Sequence, residues 1–214
     1  MPTAILFDFD GTLANTAPGI VLTMQKTFEE MHLPQPSEEA VRHTIGLPLK
    51  KCVQMLGNLN DDLAEEGTAI YRRLFPIYEI DHISIFPEVP ETLELLASRG
   101  IRMAICTSRN RFSLDSILQR HGLDPYFETI LTADTHQLKP KPDPDMALVL
   151  LDRMQTKAEE TLVVGDTTFD IEMGNRAHCP TVAVTDGNHT PEQLLTACPT
   201  HLIDHFGQLD DIAG

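Results

Sequence analysis

The sequence has little positive charge and no long hydrophobic run, and each shortage excludes a class of function. Lysine and arginine number 16 against 32 aspartates and glutamates, which gives a formal net charge of -16. Nonspecific nucleic-acid binding requires a basic surface, and attachment to anionic membranes requires clustered lysines and arginines. No apolar run is long enough to span a bilayer. We therefore expect neither nucleic acid nor membrane as a partner.

Cysteine is scarce as well, and its positions suggest neither a zinc site nor a redox pair. Cys52, Cys106, Cys179 and Cys198 form no C-x-x-C motif. The first residues carry no basic stretch, and Asp8 interrupts their apolar run, so we expect no signal peptide. A reducing cytoplasm fits these shortages best. Six histidines lack any metal-ligand spacing and are expected on the surface or at helix ends: His32, His43, His82, His121, His136 and His189.

The most informative segment that is present is an apolar strand followed by two acids. Asp8 and Asp10 follow the run 4–7, and side chains two residues apart share one face of an extended segment. Two carboxylates in one site disfavour ionisation, and a bound divalent cation removes that cost. The segment therefore predicts a metal-assisted acidic site, although aspartate and glycine also commonly end strands.

Two later segments repeat this order of an apolar strand followed by polar side chains. One ends at Thr107 and Ser108, whose hydroxyls can hold phosphate oxygens or simply cap a helix. The other ends at Asp166, and Asp170 follows in the first turn of an expected helix. A favourable interaction with the helix dipole could by itself explain Asp170. Each segment alone is therefore ambiguous between a functional and a structural role.

The loop 139–144 combines three prolines with two lysines, Lys139 and Lys141. Proline excludes a regular helix or a central strand, so the loop holds either a fixed positive charge or a stiff surface linker. Ligands of an open parallel sheet bind at the carboxyl ends of its strands, so all four segments would meet at one edge. We interpret their joint occurrence as one site.

Helix and strand patterns alternate from about residue 86 onward, whereas residues 16–82 show amphipathic helical patterns and no convincing strand. We predict an α/β fold, a parallel sheet with helices on both faces, formed by residues 1–15 and 83–214. Residues 16–82 are predicted to form an inserted α-helical cap domain. Its closure would exclude water from the site.

The predicted elements of the chain are as follows. Helices are predicted over 20–31, 37–44, 50–56 and 61–75 in the insert, and over 90–99, 111–121, 143–154, 168–177 and 191–197 in the core. Strands are predicted over 4–7, 101–107, 129–131, 161–164, 181–184 and 201–203. Hinges of the insert are expected near residues 15–18 and 81–87.

The order of these segments and their residue motifs resemble those of the haloacid dehalogenase (HAD) superfamily of phosphohydrolases. The matching residues are Asp8-Phe9-Asp10-Gly11-Thr12-Leu13, Thr107, the lysine of a Lys-Pro-x-Pro loop, and Gly165-Asp166 with Asp170. The resemblance covers nearly the whole chain and is strongest with the phosphoglycolate phosphatase and β-phosphoglucomutase branch. It implies a Rossmann-like core of the HAD fold, with an α-helical cap inserted after the first motif.

The resemblance also implies roles for the acids. Asp8 would attack phosphorus and form an aspartyl-phosphate, and Asp10 would protonate the leaving oxygen and then help to activate water. The side chain of Asp8, the backbone carbonyl of Asp10 and Asp166 would bind Mg²⁺. Asp170 would orient the lysine or a metal-bound water from outside that set.

The resemblance assigns the remaining polar residues to the phosphoryl group. Thr107 and Ser108 would bind the transferring phosphoryl. The catalytic lysine would be Lys141, because its interval to Asp166 fits the family spacing better, and Lys139 stays open as the alternative.

We therefore expect a Mg²⁺-dependent phosphatase of small phosphorylated metabolites, such as phosphoglycolate or a sugar phosphate. A phosphomutase is one alternative, although mutase-type relatives often carry an arginine shortly after the glycine that corresponds to Gly46, and residues 47–51 contain none. A non-enzymatic phospho-aspartate switch, similar to a response-regulator receiver, is another, although the chain is too long for one receiver. The sequence does not indicate an oligomeric state.

Overall fold

The structure, a computed structural model, describes residues 1–78, 82–135 and 137–214 of the chain. The second expected hinge, near residues 81–87, therefore lies partly outside the described residues. His136 also lies outside them. Among the helices that are described, none is both long and apolar enough to cross a membrane.

Strands of the described residues form one large sheet and one two-stranded ribbon. The large sheet has the order β5-β4-β1-β6-β7-β8, and all its neighbours are parallel. This architecture confirms the predicted α/β fold with a parallel sheet. The strands are β1 (Ala4–Phe7), β2 (Ala14–Asn15), β3 (Ser84–Ile85), β4 (Arg102–Cys106), β5 (Thr129–Leu131), β6 (Thr161–Gly165), β7 (Thr181–Val184) and β8 (His201–Ile203).

Helices cover both faces of the sheet, as predicted, and also form the insert between β2 and β3. They are α1 (Ala17–Glu30), α2 (Glu38–Arg42), α3 (Leu49–Gly57), α4 (Asp61–Tyr78), α5 (Val89–Ser98), α6 (Arg111–His121), α7 (Asp145–Met154), α8 (Thr168–Arg176), α9 (Pro191–Thr196) and α10 (Leu209–Ala213).

Strand β1 lies at the centre of the sheet and is buried on both faces. Ile5 and Phe7 point into the layer formed by α5, α6 and α10, while Ala4 and Leu6 point into the layer formed by α7 and α8. This two-residue alternation is the side-chain geometry of a strand, and it explains why all four residues are apolar. Helices on both faces hold the loop after Phe7 in place.

Most predicted elements match the observed ones, and the deviations have local causes. Helix 111–121 and strands 129–131, 181–184 and 201–203 agree to the residue. Helix α7 begins at Asp145 rather than at residue 143, because Asp143 precedes Pro144 and is disfavoured in helical conformation. The ribbon β2–β3 was not predicted, since two-residue strands carry almost no periodic signal, and neither was the helix α10.

Helices α1 to α4 bury an apolar cluster of their own. Met24 and Phe28 of α1 pack there with Val53 of α3 and with Tyr71 and Phe75 of α4. The chain enters and leaves this insert through β2 and β3, which pair in antiparallel fashion, so its two connections lie side by side. We retain residues 16–82 as the proposed extent of a cap domain.

Leu150 and Leu148 of helix α7 offer a matched test of the core beneath the sheet. Leu150 is 0% exposed and Leu148 is 47% exposed. Leu150→Ala leaves a cavity against the central strands and should lower the free energy of unfolding by about 2–5 kcal/mol. Leu148→Ala should change it by less than about 1 kcal/mol. Urea denaturation of both variants measures the difference, and equal losses would contradict the packing described.

Candidate active site

Polar residues from four loops meet at one edge of the sheet. Asp8 follows β1, Thr107 follows β4 and Asp166 follows β6, and these three strands are direct neighbours. Asn188 lies in the loop after β7, the next strand in the sheet. Parallel strands present their carboxyl ends at the same edge, so residues distant in sequence become adjacent.

Lys141 is fully buried between two carboxylates. Its Nζ donates to Oδ1 of Asp8 and to Oδ1 of Asp170, each at 2.6 Å, and its side chain is 0% exposed. The Lys139 side chain, in contrast, is 70% exposed and lies 3.4 Å from Asp143. The structure thus places Lys141, of the two candidate lysines, against the proposed nucleophile.

Asp170 has two separate partners for its two oxygens. Its Oδ2 accepts from the backbone N–H of Thr167 at 3.1 Å and from the Thr167 hydroxyl at 2.6 Å. These bonds form a capping box at the start of α8, while Oδ1 accepts from Lys141. Asp170 therefore both caps the start of a helix and accepts a hydrogen bond from the lysine.

Asp166 is held from both sides by hydrogen bonds. Its Oδ1 accepts from the Thr12 hydroxyl at 2.8 Å, and its Oδ2 accepts from the backbone and side-chain amides of Asn188, both at 2.8 Å. The Asn188 amide also donates to the backbone carbonyl of Asp10 at 3.1 Å. Asn188 thereby connects the segment that contains Asp10 with the segment that contains Asp166.

Two glycines allow the backbone to approach the Asp166 carboxylate. A Cβ at Gly11, where φ is +94°, would lie 2.1 Å from Oδ2 of Asp166. A Cβ at Gly187 would lie 2.2 Å from the Cβ of Asp166. Any side chain at either position would displace the carboxylate, so the site requires glycine there.

Burial and mutual repulsion shift the pKa values of these groups. Burial, with the nearby charges of Asp170, Asp166 and Asp10, raises the pKa of Asp8 well above its ordinary value, and the opposing effect of Lys141 is smaller. Burial and then Asp170 raise the pKa of Asp166 to about 7, against the hydrogen bonds from Asn188 and Thr12. Burial opposes the charge of Lys141, but Asp170 and Asp8 outweigh it and raise its pKa.

The acidic cluster fits a divalent cation. Carboxylate oxygens of Asp8, Asp166 and Asp170 lie within 4.8 Å of one another, and all three residues are buried. When ionised they carry three negative charges against the one positive charge of Lys141. A divalent cation would balance that excess, and hard carboxylate ligands suit Mg²⁺. These donors therefore form a candidate metal site.

Asp10 points to a different partner from that of Asp8. Its carboxylate accepts from Nε of Arg109 at 3.0 and 3.1 Å and also from Nη2. Both residues of this pair are buried. Arg109 was not among the residues predicted from the sequence.

Thr107 and Ser108 lie in the loop that also carries Arg109. Thr107 is fully buried, and its Oγ1 accepts from the backbone N–H of Arg109 at 3.1 Å. The Ser108 hydroxyl donates to the carbonyl oxygen of Gly46 at 2.6 Å. Because Gly46 belongs to the insert, Ser108 joins the insert to the sheet edge.

The insert covers the site closely. A Cβ at Gly46, where φ is +98°, would lie 3.2 Å from the Phe169 ring and 3.3 Å from the Thr167 hydroxyl. Beside this contact, a cavity of about 870 Å³ lies between the insert and the core, with Asp10, Ser108 and Arg109 in its wall. The cavity provides room for a ligand next to Asp10, one of the two proposed catalytic acids.

Sequence reasoning assigned no contact to Thr12, Arg109 or Asn188. His189 is buried, and its Nδ1 accepts from the backbone N–H of Thr168 at the start of α8, which is the helix-end alternative expected for it. Asn188 and His189 follow β7 as Asp166 follows β6, and the same rule on strand ends would have selected them. No residue pattern marks Arg109 as a partner of Asp10.

A family model described as haloacid dehalogenase-like hydrolase matches residues 5–184. Among curated proteins, "Probable phosphatase IndB" of Dickeya dadantii is 35% identical, over 98% of this chain and 92% of that protein. A phosphoglycolate phosphatase of Vibrio parahaemolyticus is 29% identical, over 97% and 94% of the two chains. The crystal structure of a predicted phosphoglycolate phosphatase from Haemophilus somnus is 25% identical and superimposes with a TM-score of 0.90, over 99% and 98%.

The acidic cluster predicts that Mg²⁺ stabilises the folded protein, and that this effect is larger at higher pH. Because the pKa of Asp166 is about 7 when folded and lower when unfolded, the metal-free protein should lose stability as pH rises from about 4 to 7. Metal ligands must be deprotonated, so Mg²⁺ should raise the Tm more at pH 8 than at pH 5.5. When the Mg²⁺ concentration is ~100 times its Kd, the Tm is expected to rise by about 5–10 °C.

Asp166→Asn separates site binding from a general salt effect. The variant removes one of the mutually repelling carboxylates, so it should fold without metal but lose most of the Mg²⁺-dependent shift. Asp152→Asn, at an exposed position of α7, should keep the full shift. Thermal melts at matched ionic strength measure both, and an undiminished shift in Asp166→Asn would exclude this metal site.

Proposed function

Because this chain belongs to the haloacid dehalogenase-like hydrolase family and is a phosphatase, we propose that it hydrolyses small phosphorylated metabolites through an aspartyl-phosphate. One observation carries the proposal: Asp8 at the end of the central strand is fixed by the buried Lys141, with Asp10 two residues away. A phosphoglycolate, a sugar phosphate or a similar small ester is the expected partner, in the cytoplasm.

Asp8 acts as the nucleophile. One carboxylate oxygen attacks phosphorus, the bond from phosphorus to the leaving oxygen breaks, and an acyl phosphate forms on Asp8. Lys141 donates to Oδ1 of Asp8, which fixes the carboxylate and offsets the negative charge that approaches it. Asp170 holds the Lys141 ammonium in place through its own 2.6 Å contact.

Asp10 acts as general acid and then as general base. It donates a proton to the leaving oxygen in the first step and takes one from the attacking water in the second. That water breaks the bond between phosphorus and the Asp8 oxygen, which releases inorganic phosphate and restores the carboxylate. Arg109 donates to both oxygens of the Asp10 carboxylate, so one of these hydrogen bonds must break before Asp10 can carry the proton.

The loop after β4 would bind the transferring phosphoryl group, and a metal ion held by the acidic cluster would supply positive charge beside it. In this loop the Thr107 hydroxyl accepts from the backbone N–H of Arg109, and the Ser108 hydroxyl donates to Gly46 of the insert. Asp8, the backbone carbonyl of Asp10 and Asp166 would hold Mg²⁺, which supplies positive charge to the phosphoryl oxygens. Asp170 contacts Lys141 and lies within the same acidic cluster.

A phosphomutase is the nearest alternative, and it receives less support. Mutase-type relatives often carry an arginine shortly after the residue that corresponds to Gly46, and this chain has Leu47 to Lys51 there. The similar proteins compared above are named phosphatases. We therefore propose water, rather than a second sugar phosphate, as the acceptor of the phosphoryl group.

Asp8→Asn tests the nucleophile directly. The amide cannot form the acyl phosphate, so release of inorganic phosphate from a panel of esters with Mg²⁺ should fall by at least about 1,000-fold. Asp152→Asn, at an exposed position, should retain activity. Wild-type accumulation of a stable phospho-aspartate, without sustained release of phosphate, would replace the phosphatase proposal by a mutase.

Lys141 and Lys139 form a matched pair for the second test. Lys141→Met leaves Asp8 and Asp170 buried without their cation and should lower kcat by at least about 100-fold. Lys139→Met removes an exposed side chain and should leave kcat within about twofold of wild type. Circular dichroism checks that both variants fold. Equal losses of kcat would contradict the assignment of Lys141.

A further inference from the structure

The cavity between the insert and the core is far larger than a two-carbon leaving group requires. Its volume is about 870 Å³, and Asp10 lies in its wall. Protein sites that enclose ligands of drug size commonly measure about 300–1,000 Å³. A glycolate group would leave most of this space to water. The size of the cavity therefore points to a bulkier ligand.

The cavity lies on the side of the site where the leaving group belongs. Asp10, the proposed general acid, borders it, whereas Asp8 is not among the described residues of its wall. In phosphoryl transfer the attacking and leaving oxygens lie roughly in line with phosphorus, so the leaving group points away from the nucleophile. A leaving group that accepts a proton from Asp10 would therefore extend into the cavity.

The insert contributes a mostly apolar wall to this cavity. Ile20 of α1, Leu47 in the loop before α3, Leu49 of α3 and Phe75 of α4 all border it. Ile20, Leu47 and Leu49 are only partly buried, although each packs against the apolar cluster of the insert. An apolar ligand would release water from the surface that these side chains still expose, which favours its binding.

Helix α6 contributes an aromatic side chain from the side of the core. Phe112, Ser116 and Arg120 are spaced four residues apart, so they share one face of the helix, and all three border the cavity. Phe112 is 84% exposed. Because Phe112 borders the same cavity as Ile20 and Leu47, its exposed ring adds aromatic surface to the apolar wall of the insert.

Two basic side chains of the wall are already paired with acids. Nζ of Lys50 lies 2.8 Å from a carboxylate oxygen of Asp61 and 3.2 Å from one of Glu65. Arg109 donates to both oxygens of Asp10. A negatively charged leaving group would compete with these carboxylates for the same cations, whereas an uncharged apolar group meets no such competition.

We propose that the cavity binds the leaving group of the substrate, and that this group is a bulky, uncharged alcohol with an apolar aromatic or alkyl body. The inference rests on the phosphatase function proposed above, and it narrows the substrate class away from two-carbon esters such as phosphoglycolate. Phe112 on the core side and Leu47 on the insert side determine specificity by contacting the apolar body.

A purely structural role of these two side chains makes a different prediction. If Leu47 and Phe112 only pack the insert against the core, their truncation impairs the hydrolysis of every ester to the same degree. If they contact the leaving group, truncation impairs bulky esters more. The discriminating quantity is therefore the ratio of kcat/KM for a bulky ester to kcat/KM for a small one, in which a general loss of activity cancels.

The experiment compares 2-phenylethyl phosphate with ethyl phosphate in the presence of Mg²⁺. Both are esters of primary alcohols, so their leaving oxygens are of similar basicity, and they differ in one apolar ring. Wild-type kcat/KM should favour 2-phenylethyl phosphate by at least about tenfold, mainly through a lower KM, because the ring is removed from water.

Phe112→Ala and Leu47→Ala should each reduce this preference by about 3- to 10-fold, since each removes apolar surface that the ring contacts. Leu195→Ala is the matched control, because Leu195 of α9 is 55% exposed and is absent from the described wall of the cavity. It should leave the preference unchanged. If Leu47→Ala fails to fold by circular dichroism, Phe112→Ala decides, since its side chain is exposed.

The outcomes separate this inference from the function on which it rests. Wild type that hydrolyses ethyl phosphate or phosphoglycolate at least as well as 2-phenylethyl phosphate would overturn the inference and leave the phosphatase function standing. Equal losses for both esters in Phe112→Ala and Leu47→Ala would show that these side chains only pack. If wild type hydrolyses no ester of the panel with Mg²⁺, the phosphatase proposal fails first, and this inference fails with it.

Discussion

The buried contact of Lys141 with Asp8 and Asp170 is the interaction on which the site depends. Three carboxylates lie within a few ångströms of one another in a place with no exposed surface, an arrangement that repulsion and burial oppose. The lysine offsets part of that charge and links the strand that carries Asp8 to the helix that begins near Asp170. Its removal would leave two buried acids without a cation.

The remaining negative charge gives the site its chemistry. One lysine cannot balance three carboxylates, so the protein alone leaves an excess that raises the pKa values of Asp8 and Asp166. A divalent cation would relieve this repulsion and would also attract the phosphoryl oxygens. The repulsion among the carboxylates in the metal-free site and the attraction of phosphoryl oxygens to a bound cation would thus have the same origin, the close placement of these acids.

The insert and the sheet edge meet at the loop after β4. Ser108 contacts Gly46, and Arg109 lies between Phe9 of the core and Phe75 of the insert. The cavity between the insert and the core is lined by Asp10 and Arg109 but not by Asp8. Arg109 contacts both Asp10 and Phe75 of α4, so the position of Asp10 and the packing of the insert are physically linked.

The sequence by itself determined the large sheet, most of its helices and the position of each acidic motif, because buried strands and amphipathic helices leave strong periodic patterns. It also indicated that residues after successive strands would meet, since parallel strands share one edge. Only the tertiary structure decided between Lys139 and Lys141 as the lysine that contacts Asp8, and only it revealed Arg109 and Asn188 as partners of Asp10 and Asp166. Adjacent lysines in one loop have the same local signature, and contacts between loops far apart in sequence depend on how the whole chain packs.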